Sequence, residues 1–347
     1  MFRHCIPSWV AVTDDGDVLV GEEAKRHAAV DPGAVVTGFK RLLGNIYTLI
    51  NTSGKKFPYK IVHKNAAPYI ELKTKSGGIH RHAEELTVML LAKLKATAEA
   101  HLTGAGRRRH AISASWVAGM EVERILEEPI AAAVAYGLHR KMLFPDGGGN
   151  AIVLHVGGGT AEASVLTLDE DYGVFDFLAA QHDSFLGGDD FDDRIVGYFV
   201  DVIKNKHGVD IADDVEAVRK LRTACEQAKK VLSTQRHAQL RIKSLIDGLN
   251  FSETLTREKF EELNHDLFLK IVALVDKAIS GAELLENNKK LIDEVVLIGG
   301  STMIPKIQEL VKDYFDGKKL NTELKPDEAA AFGGALAVGH SKNASWL

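Results

Sequence analysis

An apolar run over residues 151–156 stops against Gly157-Gly158-Gly159-Thr160, and partial apolar alternation resumes over residues 162–168. That pattern predicts two strands joined by a hairpin turn, and three glycines in series leave the turn's amides without a Cβ shield. Such a turn either cradles phosphate oxygens, with the Thr160 hydroxyl beside them, or simply reverses the chain. The motif is neither G-x-x-x-x-G-K-[ST] nor G-x-G-x-x-G, which disfavours ordinary P-loop and dinucleotide folds. A related unit follows later: a strand over residues 294–298, then Gly299-Gly300-Ser301-Thr302, then a helix over residues 304–315. Glycine there admits close approach of a ligand and the helix start offers unpaired amides, although a tight strand-to-helix turn needs the same residues.

Between these units, Val218, Leu221, Cys225, Ala228 and Leu232 share one stripe of a helix predicted over residues 213–234. Arg222, Glu226, Lys229 and Ser233 share another stripe, which either hydrogen-bonds a purine and its ribose or faces solvent. Thr256 is placed to cap a further helix that buries Phe260, Leu263, Leu267 and Ile271. In the first third, strand-like pieces at residues 9–13 and 59–63 accompany turn signals at Asp15-Gly16 and Gly77-Gly78. A helix over residues 83–102 then aligns Leu86, Met89, Leu90 and Leu94 until Gly104-Ala105-Gly106 stops it. Asp146-Gly147-Gly148-Gly149 is the candidate hinge between two halves.

With 347 residues, 45% of them hydrophobic and 26% charged, the chain is long enough for several buried cores and is neither disordered nor collagen-like. A formal net charge of -5 gives no reason to expect nucleic acid or an acidic membrane surface, and Arg107-Arg108-Arg109 reads as a solvated loop. Cys5 and Cys225 lack the spacing of a disulfide framework or a zinc site. No apolar stretch has the length of a signal peptide core or a membrane span, and no KDEL-type ending occurs. The chain as written is therefore expected in the cytoplasm.

A larger pattern emerges when the motifs are read in order. Leu126-Glu127-Glu128-Pro129 is followed by residues 131–138, the glycine hairpin, Leu186-Gly187-Gly188-Asp189-Asp190-Phe191-Asp192, the strand and turn through Thr302 with Ile304-Pro305-Lys306-Ile307, and Pro326-Asp327-Glu328-Ala329. Together they resemble successive motifs of the nucleotide-binding domain of the seventy-kilodalton heat-shock chaperone family. Phe251-Ser252-Glu253-Thr254-Leu255-Thr256, residues 260–264 and Pro68-Tyr69-Ile70 resemble its luminal-binding branch (BiP), which works in the endoplasmic reticulum lumen.

The resemblance implies an α/β, actin-like two-lobed ATPase fold of ribonuclease-H-like repeats. The first lobe would span residues 1–145 and the second residues 146–324. Residues 325–347 would return to the first lobe, and the cleft would close on ATP or ADP with Mg2+. The implied partners are J-domain co-chaperones and nucleotide-exchange factors, with no nucleic acid and no membrane. By the same resemblance, Lys40 in Phe39-Lys40-Arg41-Leu42-Leu43-Gly44 organises the γ-phosphate and attacking water. Glu128 is the acid near the magnesium shell and Thr160 the phosphate-side hydroxyl. Gly157, Gly158, Gly159, Gly188, Gly299, Gly300 and Ser301 hold the nucleotide, Glu226, Lys229 and Ser233 contact adenosine, and Asp327 supports the cleft.

The pattern also breaks. The family's opening strand, first phosphate loop with its aspartate and second strand have no counterpart before Pro7-Ser8-Trp9-Val10. A family helix is missing near Trp116-Val117, so the first lobe is expected to be incomplete. His155 stands where the family has an aspartate that orders magnesium waters, and Glu162 replaces a further aspartate. Hard cations prefer oxygen ligands, so no metal ligand is assigned. Lys230 and Met303 replace arginines that flank the adenine, and lysine and methionine stack on a base less well. No substrate-binding domain is expected after Gly339. The expectation is an ATP-binding chaperone ATPase-domain homologue whose hydrolysis is weak or lost. A non-enzymatic interaction module or decoy, or a non-functional gene fragment, remains the alternative.

Overall fold

A computed structural model describes residues 6–28, 30–43, 57, 59–64, 67–74, 77–101, 119, 126–141, 149–169, 174–246, 248–284 and 289–340. Arg107-Arg108-Arg109, the seam at Trp116-Val117 and residues 146–148 of the candidate hinge lie outside them. The chain divides into two compact units, residues 1–125 and 126–347.

In the first unit, strands β1 (Trp9–Val12), β2 (Val18–Val20) and β3 (Val35–Thr37) form an antiparallel sheet in the order β2-β1-β3, flanked by helix α1 (Glu22–His27). A second antiparallel sheet, β4 (Lys60–Lys64), β5 (Ala67–Thr74) and β6 (Gly77–His82), leads into helix α2 (Ala83–His101). Gly77 and Gly78, expected as a turn, are instead the first residues of β6 and pair with Thr74 and Lys73. Without a Cβ, glycine takes up extended backbone as well as a turn. Val10, Val36, Phe39, Leu42, Ile70, Leu72, Leu86 and Leu90 form the core, whereas Leu94 lies 40% exposed beyond it.

The second unit is built on a five-stranded sheet. Strands β7 (Asn150–Val156), β8 (Ala161–Asp169) and β9 (Val174–Asp183) form an antiparallel meander, and β7 also pairs in parallel with β12 (Ile292–Ile298), which pairs in parallel with β13 (Leu320–Asn321). The order β13-β12-β7-β8-β9 is that of a ribonuclease-H-like repeat, as the resemblance implied. Residues 151–154 and 156 of β7 are apolar because both faces of the strand are covered. Ile152, Leu154 and Val156 pack under helices α5 (Gly188–His207) and α8 (His265–Gly281). Ala151 and Val153 face the opposite cluster, which includes helix α3 (Glu128–Ala135) and Ala329 of helix α10 (Ala329–His340).

The remaining elements are α4 (Leu138–Lys141), α6 (Val215–Leu232), the hairpin β10 (His237–Ile246) and β11 (Leu249–Thr256), α7 (Arg257–Leu263) and α9 (Pro305–Tyr314). Asp214 caps α6 by accepting from the Ala217 N–H, and Thr256 Oγ1 accepts from the Lys259 N–H at 3.1 Å, so α7 begins where its cap predicts. The helix expected beyond Thr256 is two helices. They break at buried Asn264, whose Nδ2 donates to the Phe260 carbonyl at 2.9 Å. Among the described residues, no helix is long and apolar enough to cross a membrane.

Candidate functional site

β7 and β12 run parallel and end side by side, at Val156 and Ile298, so both glycine turns emerge at the carboxyl edge of the sheet, where open α/β sheets bind their ligands. Within the hairpin, the Gly157 N–H donates to the Thr160 carbonyl at 2.9 Å. The Gly159 and Thr160 amides donate to no protein acceptor among the described residues. The start of α5 docks on this turn: the Gly188 N–H donates to Gly157 O at 2.9 Å and the Asp189 N–H to Gly158 O at 2.7 Å. The contact is so close that a Cβ on Gly187 would lie 2.7 Å from the Gly158 carbonyl. Buried Asp190 fixes the approach by accepting the Gly187 N–H at 2.8 Å.

The turn after β12 completes the cradle. Ser301 Oγ donates to the same Gly157 carbonyl at 2.8 Å, and the Gly299 N–H donates to Pro326 O at 2.7 Å. Gly299 has φ +84°, and a Cβ there would sit 2.4 Å from Val156 O, so only glycine fits. The Gly158 and Gly300 positions, by contrast, face open space: a Cβ on Gly158 would meet only Asp189 Oδ1, at 3.9 Å, and one on Gly300 nothing within 4 Å.

Helix α6 approaches the cradle from beneath. Lys229, expected as an adenosine contact, is buried, and its Nζ donates to Gly188 O at 2.6 Å and to Asp192 Oδ2 at 2.7 Å. Burial pushes the Asp192 carboxyl up to about 6 against the opposing pull of Lys229. Among the described residues, its buried Oδ1 has no hydrogen-bond partner. Cys225, one turn earlier on α6, is also buried, and burial raises its thiol. Glu226 accepts from Lys230 across one turn at 2.5 Å. Ser233 ends α6 and lines a small recess with Lys229, Leu232, Arg257, Phe260, Glu261, Ile304 and Pro305, beside the Gly300–Met303 turn. Met303 is 46% exposed.

The other expected residues are more dispersed. Glu128 begins α3, with its Oε1 3.9 Å from His155 Nε2, beyond hydrogen-bond length. Asp327 is exposed, immediately after the Pro326 carbonyl that anchors Gly299. Thr160 is half-buried at the hairpin, and Glu162 accepts from Ser164 at 2.7 Å. Lys40 lies in the first unit, exposed on the short 3-10 turn Phe39–Leu42, whose Phe39 and Leu42 are buried. Reasoning from sequence missed Gly187, Asp190 and Asp192 as builders of the cradle. An acid three residues after Gly187 was the available signal, since that spacing caps a helix.

Magnesium fits the imidazole between the two glycine turns poorly, because a small hard cation takes oxygen ligands. Among the described residues, no three His, Cys, Asp or Glu side chains gather closely enough to hold a metal ion.

A ribonuclease-H-like sheet whose parallel strands end in a glycine hairpin and a glycine turn, both docked on one helix start, defines the actin-like class of ATPase folds. Within that class, a family model described as "Hsp70 protein" matches residues 2–343, and the chain belongs to the Hsp70 family of ATP-binding heat-shock chaperones. It is 43% identical to "Heat shock 70 kDa protein BIP3" of Oryza sativa subsp. japonica, over 95% of this chain and 51% of the relative. It is 39% identical to "Heat shock 70 kDa protein" of Neurospora crassa, over 95% of this chain and 52% of the relative. The chain spans about half the length of these curated relatives.

Proposed function

We propose that the second unit binds an adenine nucleotide and that hydrolysis is weak or lost. The observation that carries this reading is the convergence of the hairpin, the start of α5 and the Gly299–Ser301 turn on one carbonyl, Gly157 O, which accepts from both Gly188 and Ser301. Amides of the hairpin meet the phosphates, and the adenosine end is given to Glu226 and Ser233 of α6, Lys229 being committed to Gly188 O and Asp192. Weak hydrolysis follows from His155, an imidazole at the carboxyl edge where phosphoryl transfer calls for charge clamping and water positioning. Removing one well-placed group of that kind costs roughly a hundredfold or more in rate. Meetings with J-domain co-chaperones or nucleotide-exchange factors belong to this proposal by family membership.

Calorimetric titration of ADP and ATP tests binding: Glu226→Ala and Ser233→Ala lower the affinity, and unchanged binding in both variants rejects the site. Single-turnover hydrolysis, run beside an intact Hsp70 nucleotide-binding domain, tests the second part. Comparable turnover rejects it.

A further inference from the structure

His155 sits in the last turn-facing position of β7, paired with Glu162 on β8 and with Ile298 on β12. Strand alternation sends it to the face opposite Val156, toward α3, and the ring lies between the two glycine turns. Its Cε1 and Nε2 are 3.1 and 3.2 Å from where a Gly157 Cβ would stand, and its Cδ2 is 2.8 Å from the corresponding point on Gly299. The two glycines at the mouth of the cradle thus make room for an imidazole. The ring is 21% exposed, open enough to meet a ligand, and Glu128 is the carboxylate within ion-pair reach, at 3.9 Å.

Nucleotide phosphates bring several negative charges to the cradle. Divalent cations usually bridge and neutralise them, but the group that stands between the two glycine turns is an imidazole, a nitrogen donor that suits magnesium poorly, with Glu128 3.9 Å from it. A ring N–H needs no coordination shell. It donates directly to a phosphate oxygen, as a charge-assisted bond when the imidazole is protonated.

Building on the nucleotide reading above, we propose that the cradle takes its adenine nucleotide without a divalent cation, His155 supplying the donor to the phosphates that a metal would otherwise supply. Glu128 then works against binding, because its carboxylate competes with phosphate for the same ring.

The test is calorimetric titration of ADP into the full chain in EDTA and in excess Mg2+, for the wild type, His155→Gln, His155→Asp and Glu128→Gln. Circular dichroism and melting curves confirm that each variant is folded. Wild-type affinity agrees within about twofold between the two buffers. His155→Gln loses about tenfold in EDTA, the size of one charge-assisted hydrogen bond. His155→Asp loses affinity in EDTA and recovers it with Mg2+, and Glu128→Gln gains a few-fold in EDTA. Wild-type binding that requires Mg2+ overturns the inference and leaves the nucleotide reading standing. Tighter binding by His155→Gln also overturns it, by showing that the ring is a plug. Absence of binding in both buffers overturns the inference and the nucleotide reading together.

Discussion

Replacing Lys229 by methionine removes the one ammonium that ties α6 to the start of α5 and leaves a buried carboxylate with neither oxygen paired, since Asp192 Oδ1 already lacks a partner. Breaking a buried pair from one side typically costs about 3–5 kcal/mol. Part of that cost depends on pH, because Asp192 can escape its charge by taking a proton. The carboxyl moves from 3.8 to about 6 in the wild-type fold, so the folded chain holds this proton more tightly than the unfolded chain. The contribution of this group to stability therefore falls as pH rises from about 4 to 6, by roughly 3 kcal/mol, and is flat above that. Without Lys229 the carboxyl rises further, so the loss continues above pH 6 and the variant falls further behind the wild type at pH 7 than at pH 5. The lost hydrogen bond to Gly188 O adds a part that does not vary with pH. Native-state hydrogen exchange of the α5 and α6 amides against urea, at pH 5 and pH 7, measures the difference. An effect of Lys229→Met that is equal at both values, or larger at pH 5, refutes the reasoning.

Other outcomes follow from single residues. Gly299→Ala, at φ +84° with its Cβ 2.4 Å from Val156 O, destabilises the second unit by at least about 2 kcal/mol in melting experiments, whereas Gly300→Ala, which meets nothing within 4 Å, stays within about 1 kcal/mol. Thr256→Ala loses the bond from the Lys259 N–H and costs about 1 kcal/mol, read as a lower urea midpoint with an unchanged slope. The Cys225 thiol, buried and shifted upward, reacts with iodoacetamide far more slowly in the native protein than in urea; equal rates would place it at the surface.

The glycine units were legible in the sequence because their signals are local: an apolar run needs a two-faced sheet position, and three glycines directly after it interrupt the strand, whereas the pair Gly77-Gly78, with no such run before it, opens one. The buried stripe Leu221, Cys225, Ala228 and Leu232 of α6 was legible for the same reason, through helical period. Lys229 was not, since a lysine beside that stripe looks solvated and only the tertiary fold brings Asp192 and Gly188 O to it. The break at Asn264 escaped because Phe260, Leu267 and Ile271 keep helical spacing across it, while the side chain that caps the gap bonds to its own turn. β13 has two residues, too few for any period. Alternation of buried Ala238, Leu240 and Ile242 with exposed His237, Gln239 and Arg241 did mark β10, and went unread. The position of the His155 ring depends on the register of three strands and on two turns distant in sequence, which no local pattern encodes.

Hydrogen–deuterium exchange of the full chain with and without saturating ADP tests the central claim most directly. The account predicts slowed exchange at residues 157–160, 186–190 and 299–303 together, with the unrelated amides of β10 and β11 unchanged. Saturation with no slowing at these three segments, or slowing confined to other parts of the chain, contradicts it.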